Sequence, residues 1–62
     1  MDVAARGYIR DAETHIKLGY YQRARKLLRD AAREAETAQT RAAIRTLLDK
    51  IAALQTPRHR MI

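Results

Sequence analysis

The 62-residue sequence contains no cysteine, tryptophan or phenylalanine, one proline and two glycines. Without cysteine, disulfides and thiolate metal sites are excluded, although such devices stabilise many domains of this size. The two histidines, His15 and His59, lie far apart in the chain, and a structural metal usually takes four ligands. We therefore expect no metal and no cofactor, and we expect additional stability to come from oligomerisation or from a larger partner.

Long apolar runs are also missing from the sequence. No segment approaches the roughly 20 apolar residues of a membrane-spanning helix, and residues 1–5 lack the basic and apolar regions of a signal peptide. We therefore expect a cytoplasmic protein. A chain of this length forms one domain at most, and such domains bury only about 60% of the surface of the unfolded chain. Because many of the apolar residues are alanine, the core is predicted to be thin.

Acidic residues are in the minority. The chain has 13 basic and 7 acidic residues, which gives a formal net charge of +6. Most of the basic residues are arginine, whose planar guanidinium suits bidentate contacts with phosphate or carboxylate. This excess indicates an anionic partner, but it is also typical of genomes whose base composition favours arginine and alanine codons.

The apolar residues recur at helical spacing, which predicts an all-α antiparallel hairpin plus a third helix, at about residues 2–18, 20–36 and 40–55. Asp2 is predicted to cap the first helix by accepting hydrogen bonds from the backbone amides of its first turn. Gly19 is predicted to end that helix in the left-handed conformation. The apolar stripe of the first helix consists of Ala5, Ile9, Ala12 and Ile16.

No glycine or proline separates the second helix from the third. However, the stripe of the second helix, continued at the same phase, would pass through Arg45 and Asp49, which are poor core residues. The apolar stripe of the third segment is displaced from this phase by roughly a third of a turn. We therefore predict a break within residues 37–40, with Thr37 or Thr40 as the cap of the third helix. One continuous helix remains the alternative if the chain dimerises.

Proline ends the third helix, because it disfavours helical geometry in the residue before it. Residues 1–56 are therefore predicted to form a single domain, followed by a basic flexible tail at residues 57–62.

Small and large apolar residues alternate around the turn at Gly19. The residues of this scaffold seam are Tyr8, Ala12, Gly19, Tyr21, Ala24, Leu28 and Ala31. The alanines let two antiparallel helices approach, and Tyr21 and Leu28 fill the wedge between them. Over residues 5–36 the seam resembles one tetratricopeptide repeat, which implies a protein-binding module with the third helix as a cap.

The chain departs from the pattern of that family at three positions. The family usually has leucine where this chain has Asp11, tyrosine where it has His15, and proline where it has Glu36. Repeat arrays also need about three copies for stability, and one is present. The chain is similar as well to three-helix microtubule-interacting-and-trafficking domains, which bind partner helices in grooves beside their third helix. Any short helical hairpin with an alanine seam shows the same pattern.

Two sets of residues are candidates for contact with a partner. The first set is predicted to contact anionic partners and consists of Arg25, Arg29 and Arg33 on the second helix with Arg58 and Arg60 in the tail. Neighbouring carboxylates partly neutralise the second helix, as on an ordinary solvated face. The second set is a helix face of Ile44, Leu47, Leu48, Ile51 and Leu54.

The sequence shows no paired carboxylates, no arrangement of a nucleophile with a base, and no glycine-rich phosphate loop. His15, at the margin of the first stripe, is predicted to be a partly buried, hydrogen-bonded histidine. We therefore expect a non-enzymatic protein–protein interaction module or small subunit without a small-molecule substrate, which binds another protein or a second copy of itself. A basic protein that contacts RNA or DNA phosphates is the alternative.

Overall fold

A computed structural model describes residues 2–55, which form three helices: α1 (Val3–Leu18), α2 (Tyr21–Glu34) and α3 (Ala38–Gln55). The described residues contain no strand, so the predicted all-α three-helix bundle is confirmed. The chain is interrupted before the third helix, as predicted, but at residues 35–37 instead of within residues 37–40: α2 ends two residues earlier and α3 begins two residues earlier than expected. The predicted tail at residues 57–62, including Arg58 and Arg60, lies outside the described residues.

A two-residue turn makes α1 and α2 antiparallel neighbours. Gly19 has a φ of 84°, and its N–H donates to the carbonyl of Ile16 at 3.1 Å, while the N–H of Tyr20 donates to the carbonyl of His15 at 2.9 Å. These two bonds form a Schellman motif. The rings of His15 and Tyr20 lie 6.2 Å apart between centroids, so they supply the side-chain contact that usually accompanies this motif.

The interface between α1 and α2 is the most extensive of the three helix pairs. Its fully buried residues are Ala5, Ala12, Ala24, Leu28 and Ala31. Tyr8 and Tyr21 are half-buried against this core. The small side chains allow the two backbones to approach closely. The alanines and Leu28 of the predicted scaffold seam therefore lie in the core of the hairpin, whereas Gly19 lies in the exposed turn.

The third helix runs antiparallel to α2 and parallel to α1. Its beginning lies beside Asp2 at the start of α1, and Gln55 at its end accepts a hydrogen bond from Arg25 near the start of α2. Ile44 and Ile51 of α3 complete the core, with exposed fractions of 4% and 0%. Because α3 packs less extensively on α1 than on α2, a groove remains between α1 and α3.

Substitution of each of the two glycines by alanine is expected to change the free energy of unfolding in opposite directions. A Cβ at Gly7, inside α1, would meet no neighbouring atom within 4 Å, so Gly7→Ala should raise the free energy of unfolding by about 1 kcal/mol through helix propensity. Gly19→Ala should lower it by about 1 kcal/mol, because a side chain is unfavourable at a left-handed φ. Urea unfolding followed by circular dichroism measures both changes. The same sign of change in the two variants would contradict these backbone conformations.

Candidate interaction surfaces

The carboxylate of Asp2, the residue that precedes α1, holds the beginning of α3. Asp2 Oδ1 accepts from the N–H of Glu36 at 2.8 Å. Asp2 Oδ2 accepts from the hydroxyls of Thr37 and Thr40, both at 2.6 Å, and from the N–H of Thr37 at 3.2 Å. Four donors therefore converge on one side chain across 34 to 38 residues of sequence.

This arrangement corrects the predicted role of Asp2. The residue precedes α1 as expected, but its side chain accepts no hydrogen bond from the first turn of that helix. Its backbone, at φ −98° and ψ 41°, departs from the extended conformation typical of a capping residue, and the carboxylate bonds the connection to α3 instead. Thr37 caps α3 itself, since its Oγ1 accepts from the N–H of Thr40 at 3.2 Å.

The hydroxyl of Thr37, followed by that of Thr40 and by the N–H of Glu36, holds the pKa of the Asp2 carboxyl well below its usual range; the desolvation of the carboxyl opposes this shift. Because the folded-state pKa is depressed, the unfolded chain takes up the proton first as the pH falls. The contribution of Asp2 to stability is therefore complete above the unfolded-state pKa of about 3.9 and is lost progressively below it.

The predicted helix face of α3 divides into buried and partly exposed residues. Ile44 and Ile51 lie in the core, so the prediction that they meet a partner is wrong: a core built mostly of alanine requires these large side chains. Leu47 is half-buried on the side of α1, and Leu48 is half-buried on the side of α2. Leu54 is 51% exposed.

The groove between α1 and α3 has a volume of about 350 Å³. We call it the α1–α3 groove, and its lining residues are Arg10, Glu13, Thr14, Ile16, Lys17, Leu47 and Lys50. Ile16 and Leu47 are its apolar part, and Leu54 lies two turns beyond Leu47 on the same side of α3.

The rim of the α1–α3 groove is predominantly positive. Arg10, Lys17 and Lys50 contribute three cations, against the single carboxylate of Glu13. Within residues 2–55, none of these three cations forms an ion pair with another side chain. The groove therefore combines an apolar floor with unneutralised positive charge. These cations were not predicted from the sequence, although Arg10 and Lys17 lie seven residues apart and hence on one side of α1.

The predicted arginine set on α2 does not present three equivalent cations. Arg25 is half-buried and donates to Oε1 of Gln55. Arg33 donates to Asp30 at 3.4 Å. Arg29 is exposed and has no hydrogen bond or ion pair to any other described side chain. Two of the three arginines therefore have partners within the protein.

A second concavity lies at the turn between α1 and α2, with a volume of about 610 Å³. Its lining residues are His15, Gly19, Tyr20, Tyr21, Gln22, Arg23 and Gln55. Nδ1 of His15 lies 2.7 Å from the carbonyl oxygen of Asp11, and since a carbonyl only accepts, Nδ1 must carry a proton. His15 is half-buried, which confirms the prediction of a partly buried, hydrogen-bonded histidine.

Among residues 2–55, no helix has the length and apolar character to cross a membrane. In the same part of the chain, no three histidine, aspartate or glutamate side chains converge as ligands for a metal ion.

Replacement of Asp2 tests its hydrogen bonds. Asp2→Asn should lower the urea midpoint at pH 7, because an amide cannot accept from donors at both of its terminal atoms. It should also weaken the loss of stability below about pH 4, so the wild-type and variant midpoints should converge as the pH falls. Asp11→Asn, which removes the same charge from the exposed side of α1, is the matched control and should leave the acid dependence unchanged. Equal effects of the two substitutions would show that Asp2 acts through charge alone.

Comparison with models of protein families, with curated proteins and with solved structures found no match to the chain in any of the three. The resemblances to tetratricopeptide repeats and to microtubule-interacting-and-trafficking domains therefore stay predictions from the quoted residues.

Proposed function

We propose that the protein is a non-enzymatic protein–protein interaction module, or a small subunit of a larger assembly, that docks a partner in the α1–α3 groove. The observation that carries this proposal is the incomplete cover of α3 on the side of α1. Leu47 lines the groove and is half-buried, and Leu54, two turns further along the same side of α3, is 51% exposed. Ile44 and Ile51 on the same helix are buried. A partner seated in the groove would cover both leucines.

The composition of the core gives a reason for such docking. Leu28 and Ile51 are the large side chains that have no exposed surface, and most of the other core residues are alanine. Full burial of one leucine side chain contributes about 1.5–3 kcal/mol. Cover of Leu47 and Leu54 by a partner would therefore add an appreciable amount to the stability of a domain this small.

A different protein is a better partner for this surface than a second copy of the chain. The formal net charge is +6, and the rim of the α1–α3 groove carries an excess of cations. Self-association through the groove would bring like charges together. The predicted homo-oligomer therefore has less support than a hetero-complex, and sedimentation of the purified protein distinguishes the two.

Binding of RNA or DNA is the second candidate function. The net charge, the unpaired and exposed Arg29, and Tyr20, which is 59% exposed, favour it, since nucleic-acid sites combine cations with aromatic rings for base stacking. Against it, Arg25 and Arg33 make bonds within the protein. This candidate predicts an affinity for RNA that falls steeply with salt and is lost in Arg29→Glu.

The docking proposal is tested by recovery of partners from the native source with three tagged proteins: the wild type, Leu54→Asp and Ala53→Asp. Leu54→Asp places a charge on the groove side of α3 and should lower the recovery of a specific partner about tenfold or more, because the carboxylate cannot be buried there without a cost of several kcal/mol. Ala53→Asp is the matched control, since it adds the same charge to an exposed position about 100° around the helix.

The same partner should be recovered equally by the wild type and by Ala53→Asp. Circular dichroism of the three proteins checks that both variants keep the helical content of the wild type. Recovery that falls equally in both variants, or in neither, would contradict docking in the α1–α3 groove.

A further inference from the structure

We infer that the partner in the α1–α3 groove is an acidic amphipathic α-helix. The inference rests on the proposed function, because it specifies the chemistry of the partner for the same surface. Two properties of the groove support it independently: the secondary structure of its walls and the sign of its charge.

The walls of the groove favour a helical partner over an extended one. Both walls are helices, whose backbone N–H and C=O groups along the groove are already paired within each helix. An extended segment would find no backbone partners there, and its buried polar groups would remain unsatisfied. The backbone N–H and C=O groups of a helix are hydrogen-bonded within the helix. A helical partner therefore contacts the groove through its side chains alone, as in other complexes where an amphipathic helix lies in a groove.

The apolar spacing on α3 also matches a helical partner. Leu47 and Leu54 lie seven residues apart, which places them about 10 Å apart along the same side of the helix. This is the heptad spacing at which one helix packs its apolar side chains against another. A contact that spans these two leucines requires roughly two to three turns of the partner helix.

The charges on the rim favour a partner with carboxylates beside its apolar stripe. Arg10 and Lys17 lie seven residues apart on α1, and Lys50 lies on α3 between Leu47 and Leu54. The two walls therefore present cations on both sides of the apolar floor. Glu13 lies between the cations of α1 and disfavours a carboxylate at the middle of that wall. The best partner consequently has acidic residues at both ends of the contact.

The test uses the full chain and three labelled synthetic peptides of about 18 residues, long enough for roughly five turns of helix. The first peptide carries leucine at heptad spacing with glutamate on both flanks. In the second, every glutamate is replaced by lysine, and in the third the residues of the first are reordered so that leucine lies on all faces. Fluorescence anisotropy at about 0.15 M salt, where exposed charges are screened beyond about 8 Å, measures the dissociation constants.

We expect the acidic amphipathic peptide to bind at least about tenfold more tightly than the other two peptides. The double substitution Lys17→Glu with Lys50→Glu should weaken this binding about tenfold or more, because it reverses charge on both walls. The double substitution Lys26→Glu with Arg41→Glu is the control, since it changes the net charge by the same amount at two exposed positions that do not line the groove. It should change the dissociation constant less than about twofold.

Each of the following results would overturn the inference. If the basic peptide binds as tightly as the acidic one and both are released by Leu47→Asp, helix docking stands but the acidic partner is wrong. If the reordered peptide binds equally well, or Lys26→Glu with Arg41→Glu weakens binding as much as Lys17→Glu with Lys50→Glu, net charge alone explains the binding. If no peptide binds, or a labelled RNA binds more tightly than the acidic peptide, the inference fails as well, whereas the docking proposal is judged separately by partner recovery.

Discussion

The start of α3 is held in place by one carboxylate. Asp2 accepts four hydrogen bonds from the segment that begins α3, and these bonds join the start of the first helix to the start of the last. A core composed largely of alanine offers little apolar area with which to orient a third helix. Hydrogen bonds are directional, so this cluster determines where α3 begins in a way that the small core cannot.

The position of α3 creates the surface to which we assign a function. At its beginning α3 is joined to Asp2, and at its end Gln55 is joined to Arg25 of α2. These two connections keep α3 parallel to α1 while its main packing is on α2. A groove lies between α1 and α3, with Leu47 on one wall and cations on both. The same arrangement commits Arg25 to the fold, which weakens the case for a phosphate-binding face on α2.

Much of the fold could be predicted from the sequence, because its helices have regular apolar stripes and the stripe changes phase before α3. The role of Asp2 could not, since a short acidic side chain before a helix caps it locally in most proteins, and a bond to residues 34 to 38 positions away leaves no local pattern. The stripe of α3 indicated which side of the helix is apolar. Whether a residue on that side is buried, as Ile44 is, or exposed, as Leu54 is, depends on how the other helices pack. The cationic rim was missed for the same reason, as its residues come from two helices whose proximity is a tertiary property.

Titration of the Asp2 carboxyl by carbon-13 nuclear magnetic resonance tests the central claim most directly. If four donors from the α3 segment surround this carboxylate, the pKa of Asp2 in the folded protein will lie well below the ordinary value of about 3.9, and the carboxyl signal will stay in its ionised position at pH values where an exposed carboxyl is half-protonated. An ordinary pKa for Asp2 would contradict the account, because it would mean that the carboxylate is solvated and does not hold α3 beside α1.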